Sequence, residues 1–184
     1  MSLASFLALI ARSLKDVDIP FMLTGSLAAA FYGAPRATQD VDVVIEAQPE
    51  NVKRLVDDLG AAGLYVDLES ALHALRTGGQ FNAIDPATGW KADLIFRKAR
   101  PFSETEFGRR QQRELFGVEI ALTTLEDLIV AKLERSELGD SELQRRDIRE
   151  LLEMAGTSID KHYLDRWIDN PGLQQAWERV KWTG

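Results

Sequence analysis

The chain contains no cysteine, which excludes disulfides and thiolate metal sites. Histidine is almost as scarce: His73 and His162 are the only two in 184 residues. Imidazole zinc sites and Ser-His-Asp triads are therefore poor fits. No window approaches the roughly 18 consecutive apolar residues of a membrane span. Residues 2–14 are apolar but periodic, without the basic leader and small-residue cleavage site of a signal peptide. A cytoplasmic location with no membrane partner is the expectation. Basic residues are outnumbered 22 to 29, for a net charge of −7. Such a balance argues against indiscriminate nucleic-acid binding, which needs a basic footprint.

What is present is an ordinary globular composition, 45% apolar and 28% charged. The length suffices for one domain with a single core. Charge is uneven, however. Between Arg97 and Arg113 six basic residues face two acids, Glu104 and Glu106. This stretch is either a solvated loop and helix face or a surface that steers RNA or a nucleotide.

Periodicity places the elements. Leu3, Phe6, Leu7, Ile10 and Leu14 mark a helix over 2–15. Residues 21–24 form a short strand that turns at Gly25-Ser26 into an alanine-rich helix over 27–32, stopped by Gly33 and Pro35. Residues 39–46 alternate acids with valine and isoleucine and read as a strand. A helix starts near Pro49, and 69–76 fit a short one. Residues 80–84 and 90–96 are a strand pair joined by a turn-rich segment. Residues 115–122 read as a further strand that bends at Gly117. From Thr124, a helix cap with Asp127 three residues on, the pattern is helical throughout. Trp167, Trp177 and Trp182 fall in the last one or two helices, as core residues or as a partner surface. The expected class is α/β (α+β): a short mixed β-sheet flanked by helices over 1–122, with a helical C-terminal section over 123–184 packed on it.

The segment with chemical content is Gly25-Ser26, thirteen residues, then Asp40-Val41-Asp42-Val43. Side chains alternate along a strand, so Asp40 and Asp42 share a face. Like charges this close repel unless a cation neutralises them. Mg²⁺ is the natural hard partner, usually shared with substrate phosphates, and two such ions can flank an in-line displacement. A strand that turns into a helix offers free backbone N–H groups to anions, and glycine lets a phosphate approach. Asp93, an acid inside the apolar strand Ala92–Phe96, is costly to bury unless it meets a cation. It is the candidate third carboxylate, either general base or metal ligand.

These residues resemble the signature of the DNA polymerase beta-like nucleotidyltransferase superfamily. The run Thr124–Leu133 followed by Arg145-Arg146-Asp147-Ile148 is similar to its minimal bacterial branch, which includes abortive-infection-type nucleotidyltransferase toxins. The likeness spans about residues 20–152. It implies a nucleotidyltransferase fold and transfer of a nucleoside monophosphate from an NTP to a hydroxyl, with pyrophosphate released. It also implies Mg²⁺ or Mn²⁺ on Asp40, Asp42 and Asp93, and nucleotide contacts from Gly25, Ser26, Arg36 and Lys132, with Thr38 near Arg36. An arginine fork suits phosphate oxygens. The acceptor stays open: a tRNA end, a protein hydroxyl or a small molecule such as an aminoglycoside. An antitoxin partner or a homodimer is open too. The alternative reading is a catalytically silent nucleotide-binding or partner-binding module of a toxin–antitoxin type system.

Overall fold

The computed structural model describes residues 1–139, 141–169 and 171–181; Trp182 lies outside them. Helix α1 (Leu3–Asp16) begins where the Ser2 hydroxyl accepts from the Ser5 N–H, and it buries Phe6, Leu7, Ile10 and Leu14. There follow β1 (Phe21–Leu23), α2 (Gly25–Phe31), β2 (Asp40–Ile45) and α3 (Pro49–Ala61), with its proline in the first turn. Next come β3 (Tyr65–Val66) and α4 (Leu68–Thr77), capped by Asp67 and ended by Gly78 in the left-handed region. Then β4 (Gln80–Ile84), β5 (Lys91–Phe96), α5 (Pro101–Arg109), β6 (Gln111–Leu115) and β7 (Val118–Leu122) complete the sheet. Four helices close the described chain: α6 (Leu125–Gly139), α7 (Glu142–Ala155), α8 (Lys161–Ile168) and α9 (Pro171–Lys181).

The seven strands form one mixed sheet in the order β3-β4-β5-β2-β1-β7-β6. The pairs β2–β5 and β1–β7 are parallel and the others antiparallel. Two features depart from the sequence reading. Residues 115–122 are not one bent strand but the end of a hairpin, because Phe116 and Gly117 both have positive φ (53° and 77°) and turn the chain back. Helix α5 was not legible, since it buries only Phe102, Ser103, Glu106 and Phe107 and so lacks a strong apolar stripe.

The two faces of the sheet are chemically opposed. Val41, Val43, Ile45, Phe81, Ala83, Ala92, Leu94 and Phe96 join the apolar residues of α1, α3 and α4 in one buried cluster. Each large side chain there contributes about 1.5–3 kcal/mol. The other face carries Gln80, Asn82, Asp40, Asp42, Lys91 and Asp93. A helix laid over those groups would bury unpaired polar atoms at a cost of about 1–3 kcal/mol each. On that face Asp40 is half exposed, whereas the side chains of Asp42 and Asp93 are only 14% and 12% exposed.

The last helices are tied down by Asp127, which is fully buried. It accepts from Arg109 at 3.0 Å, from the Thr124 hydroxyl at 2.6 Å and from the Tyr163 hydroxyl. The Arg109 guanidinium also lies 3.8 Å over the Tyr163 ring, and Trp167 packs edge-on against Phe102 with centroids 5.1 Å apart. Trp167 and Trp177 are half-buried against the core.

Candidate active site

Parallel pairing of β2 with β5 sets Asp42 directly opposite Asp93, and Asp40 opposite Lys91 one alternation earlier. Side-chain alternation puts all four on the polar face of the sheet. Asp42 and Asp93, 51 residues apart in sequence, thus meet across a rung, with Asp40 and Lys91 on the neighbouring one. The Lys91 Nζ stands 3.2 Å from Asp40 Oδ1 and 3.2 Å from Asp93 Oδ1. Its hydrogen bond goes to Asp93 Oδ2 at 3.3 Å, which leaves the buried Asp93 Oδ1 without one. Burial disfavours the lysine's charge, but hydrogen bonds and attraction from Asp93 and Asp40 outweigh it and raise its pKa.

The turn into α2 is built around Asp42. The Thr24 N–H donates to the Asp42 carbonyl at 2.9 Å, and Gly25 follows with φ +69°. A Cβ on Gly25 would lie 1.9 Å from Asp42 Oδ2. Only glycine leaves room for this carboxylate, so the residue serves both backbone conformation and close approach. Burial raises the Asp42 pKa. Arg135 opposes that shift, Asp93 adds to it, the Ser26 backbone opposes it, and Asp40 adds to it. The Arg135 guanidinium is 3.9 Å from Asp42 Oδ1.

Behind the turn lies a chain of charged groups. Arg36 donates to the Ser26 hydroxyl and pairs with Asp147 at 3.4 Å. Lys132 donates to Asp147 at 2.7 Å and to Gln144 at 3.2 Å. Lys132 and Asp147 are both buried. Burial lowers the Lys132 pKa, and the Asp147 contact opposes that while Arg36 and Arg135 reinforce it. Three cations, Arg36, Lys132 and Arg146, share the Asp147 carboxylate, so the cluster carries an excess positive charge beside Ser26. Lys132 is held inward by Asp147 rather than extended to solvent.

Along the same face, Gly25, Val44, Ile95, Arg100, Lys132 and Arg135 help line a cavity of about 150 Å³. Glu106 reaches it from α5. Burial, then repulsion from Asp127 and Glu134, pushes the Glu106 carboxyl up to about 8 against the pull of Arg100 and Arg135. Three of the six basic residues of the stretch 97–113 are paired with carboxylates within the fold. Arg97 makes a fork with Glu46 at 3.1 Å on both sides. Arg100 does the same with Glu134 at 2.6 and 2.5 Å, and Arg109 is taken by Asp127. Both histidines are exposed on the surface.

Among the described residues, no group of three or more carboxylate and imidazole side chains is already closed around a metal position. Asp42 and Asp93 nevertheless fit a hard divalent ion. They are oxygen donors facing one another across a rung, and Asp93 Oδ1 is buried with no hydrogen bond. Asp40, whose side chain is 51% exposed, joins them only by leaving Lys91. Lys91 and Arg135 were not singled out from sequence, and Asp147 entered only within the run 145–148, without a role. The signal for Lys91 was its position two residues before Asp93, which places it on the same face. For Arg135 it was the three-residue spacing from Lys132 on one helix.

No protein-family model and no curated protein matches the chain. Solved structures do. An antigenic nucleotidyltransferase-like protein from Paracoccidioides brasiliensis superposes with a TM-score of 0.67 at 17% identity, covering 97% of this chain and 86% of that one. ANT(2″)-Ia in complex with adenylyl-2″-tobramycin gives 0.58 at 12%, covering 97% and 99%. The lincosamide antibiotic adenylyltransferase LnuA, bound to lincomycin, gives 0.57 at 11%, covering 84% and 98%. At these identities the likeness establishes the fold: a mixed sheet flanked by helices, shared with nucleotidyltransferases.

Proposed function

We propose that this chain is a metal-dependent nucleotidyltransferase, transferring an NMP from an NTP to an acceptor hydroxyl with release of pyrophosphate. The observation that carries the reading is the Asp42–Asp93 rung, set against a glycine at positive φ whose missing Cβ makes room for the Asp42 carboxylate. Asp42 and Asp93, with Asp40, would hold Mg²⁺ or Mn²⁺. Such an ion, when bound, neutralises charge on the phosphate oxygens. Gly25 and Ser26 receive the terminal phosphates, and Arg36 and Lys132 supply positive charge from behind Ser26. Asp93 takes the acceptor's hydroxyl proton while the acceptor oxygen bonds to the α-phosphorus. The bond from that phosphorus to the bridging oxygen breaks, and pyrophosphate leaves. Catalysis is chiefly positioning and charge stabilisation. Residues 1–122 carry the acids and the turn, and the helical section 123–184 supplies Lys132, Arg135 and Asp147.

A small hydroxylated acceptor fits better than RNA, because Arg97, Arg100 and Arg109 are each paired with a carboxylate and the cavity next to Gly25 is small. Two of the structural neighbours act on or bind small antibiotics. A second reading, a catalytically silent nucleotide-binding or partner-binding module of toxin–antitoxin type, is favoured by the Lys91 ammonium standing among the acids. Incubation with each α-labelled NTP, Mg²⁺ or Mn²⁺, and separate pools of small molecules, tRNA and protein separates the two. Label in an acceptor with pyrophosphate released, both lost in Asp42→Asn while the fold persists, is expected. Nucleotide binding without pyrophosphate in any pool supports the silent module.

A further inference from the structure

We propose that Lys91 is a built-in counter-ion that weakens divalent-metal binding at the carboxylates until a nucleotide arrives. The inference rests on the reading of Asp40, Asp42 and Asp93 as metal ligands. Strand register fixes the lysine in this role: it is the direct partner of Asp40 across β2–β5 and shares a face with Asp93. Its ammonium lies 3.2 Å from an oxygen of each acid. One positive charge therefore already meets the hard oxygen donors that a divalent ion needs. An ion bound there must either displace the ammonium or tolerate it at close range, and both weaken binding. A triphosphate changes the balance. Its oxygens offer the ion additional ligands and offer the lysine another anionic partner. With Lys91 31% exposed, its flexible stem is free to swing toward such a partner without unpacking the core. In this arrangement the metal binds well only together with nucleotide, which keeps the acids neutralised between turnovers.

Mn²⁺ binding tests this without any assay of transfer. Free Mn²⁺ is followed by electron paramagnetic resonance as the ion is titrated into wild type, Lys91→Met and Lys91→Arg, with melting temperature as the folding control. Without nucleotide, Lys91→Met is expected to bind Mn²⁺ at least about tenfold more tightly than wild type, equivalent to about 1.4 kcal/mol. Lys91→Arg, which keeps the charge, is expected to stay within about threefold of wild type. A double variant with Asp93→Asn is expected to lose the gain. With a non-hydrolysable NTP analogue present, the difference between wild type and Lys91→Met should narrow. Equal or weaker binding by Lys91→Met, or tight binding by Lys91→Arg, overturns the proposal. Should Lys91→Met fail to fold, Lys91→Gln takes its place with the same expectations. The outcome is separable from the catalytic reading: tighter binding in a protein that transfers no NMP sinks that reading alone, and active wild type with unchanged Mn²⁺ affinity in Lys91→Met sinks this inference alone.

Discussion

Replacing Gly25 by alanine perturbs the site through two independent terms. The residue sits at φ +69°, where an L side chain costs about 1–2 kcal/mol. Its new Cβ would lie 1.9 Å from Asp42 Oδ2, 2.5 Å from Cγ and 2.8 Å from Cβ. Ordinary contact begins at 3.4 Å, so the carboxylate or the turn must retreat by roughly 1.5 Å, a crowding that typically costs about 1–3 kcal/mol. Together the loss is about 2–5 kcal/mol, or roughly 5–15 °C in melting temperature for a chain of this size. Gly63 supplies the control. It also has positive φ, +88°, but no neighbour within 4 Å of an added Cβ. Gly63→Ala should therefore lose only the backbone contribution, about 1–2 kcal/mol. Misplacing Asp42 by more than 1 Å should cut NMP transfer at least about 100-fold in Gly25→Ala, with no change in Gly63→Ala. Thermal denaturation and initial rates of pyrophosphate release measure both effects. A Gly25→Ala protein that melts with Gly63→Ala and turns over like wild type would show that Asp42 does not depend on this approach.

Other expectations follow from the buried charges. The Glu106 carboxyl is raised from an ordinary value near 4.5 to about 8, so between those values the native state holds a proton that the unfolded state has released. Its contribution to stability is complete below pH 4.5 and falls as pH rises to about 8. Glu106→Gln should therefore flatten the decline and gain up to about 3 kcal/mol at pH 7 relative to pH 4.5, as read from urea unfolding at both pH values. Tyr163→Phe removes a hydroxyl from buried Asp127 and should cost about 1–3 kcal/mol, with transfer unaffected. Lys132→Met removes the nearest partner of the buried Asp147 and leaves it to Arg36 at 3.4 Å and Arg146 at 3.9 Å. It should cost about 3–5 kcal/mol in denaturant midpoint analysis and weaken NTP binding in titration calorimetry.

Local pattern made much of this legible. The strand expected over 39–46 is β2 (Asp40–Ile45), and 80–84 is β4, because alternation and β-branched residues are local signals. The helix expected over 2–15 differs from α1 by one residue at each end. Strand pairing was not legible. That β5 lies beside β2, with Asp42 level with Asp93, depends on contacts about fifty residues apart in sequence. Sequence placed Gly25 at a turn, but not beneath a carboxylate. It marked Lys132 as a candidate phosphate ligand without showing that Asp147 holds it inside. The charge excess over 97–113 was real in composition, yet Glu46 just after β2 and acids of α5 and α6 pair with Arg97, Arg100 and Arg109.

The arrangement of acids around a shared ion is open to direct observation. Crystals grown with Mn²⁺ and a non-hydrolysable NTP analogue, with data collected at the manganese edge, locate the metal by its anomalous signal. A peak between Asp42 and Asp93, with the analogue's phosphates against Gly25 and Ser26, is the expected result. Nucleotide and manganese bound away from that rung would contradict it.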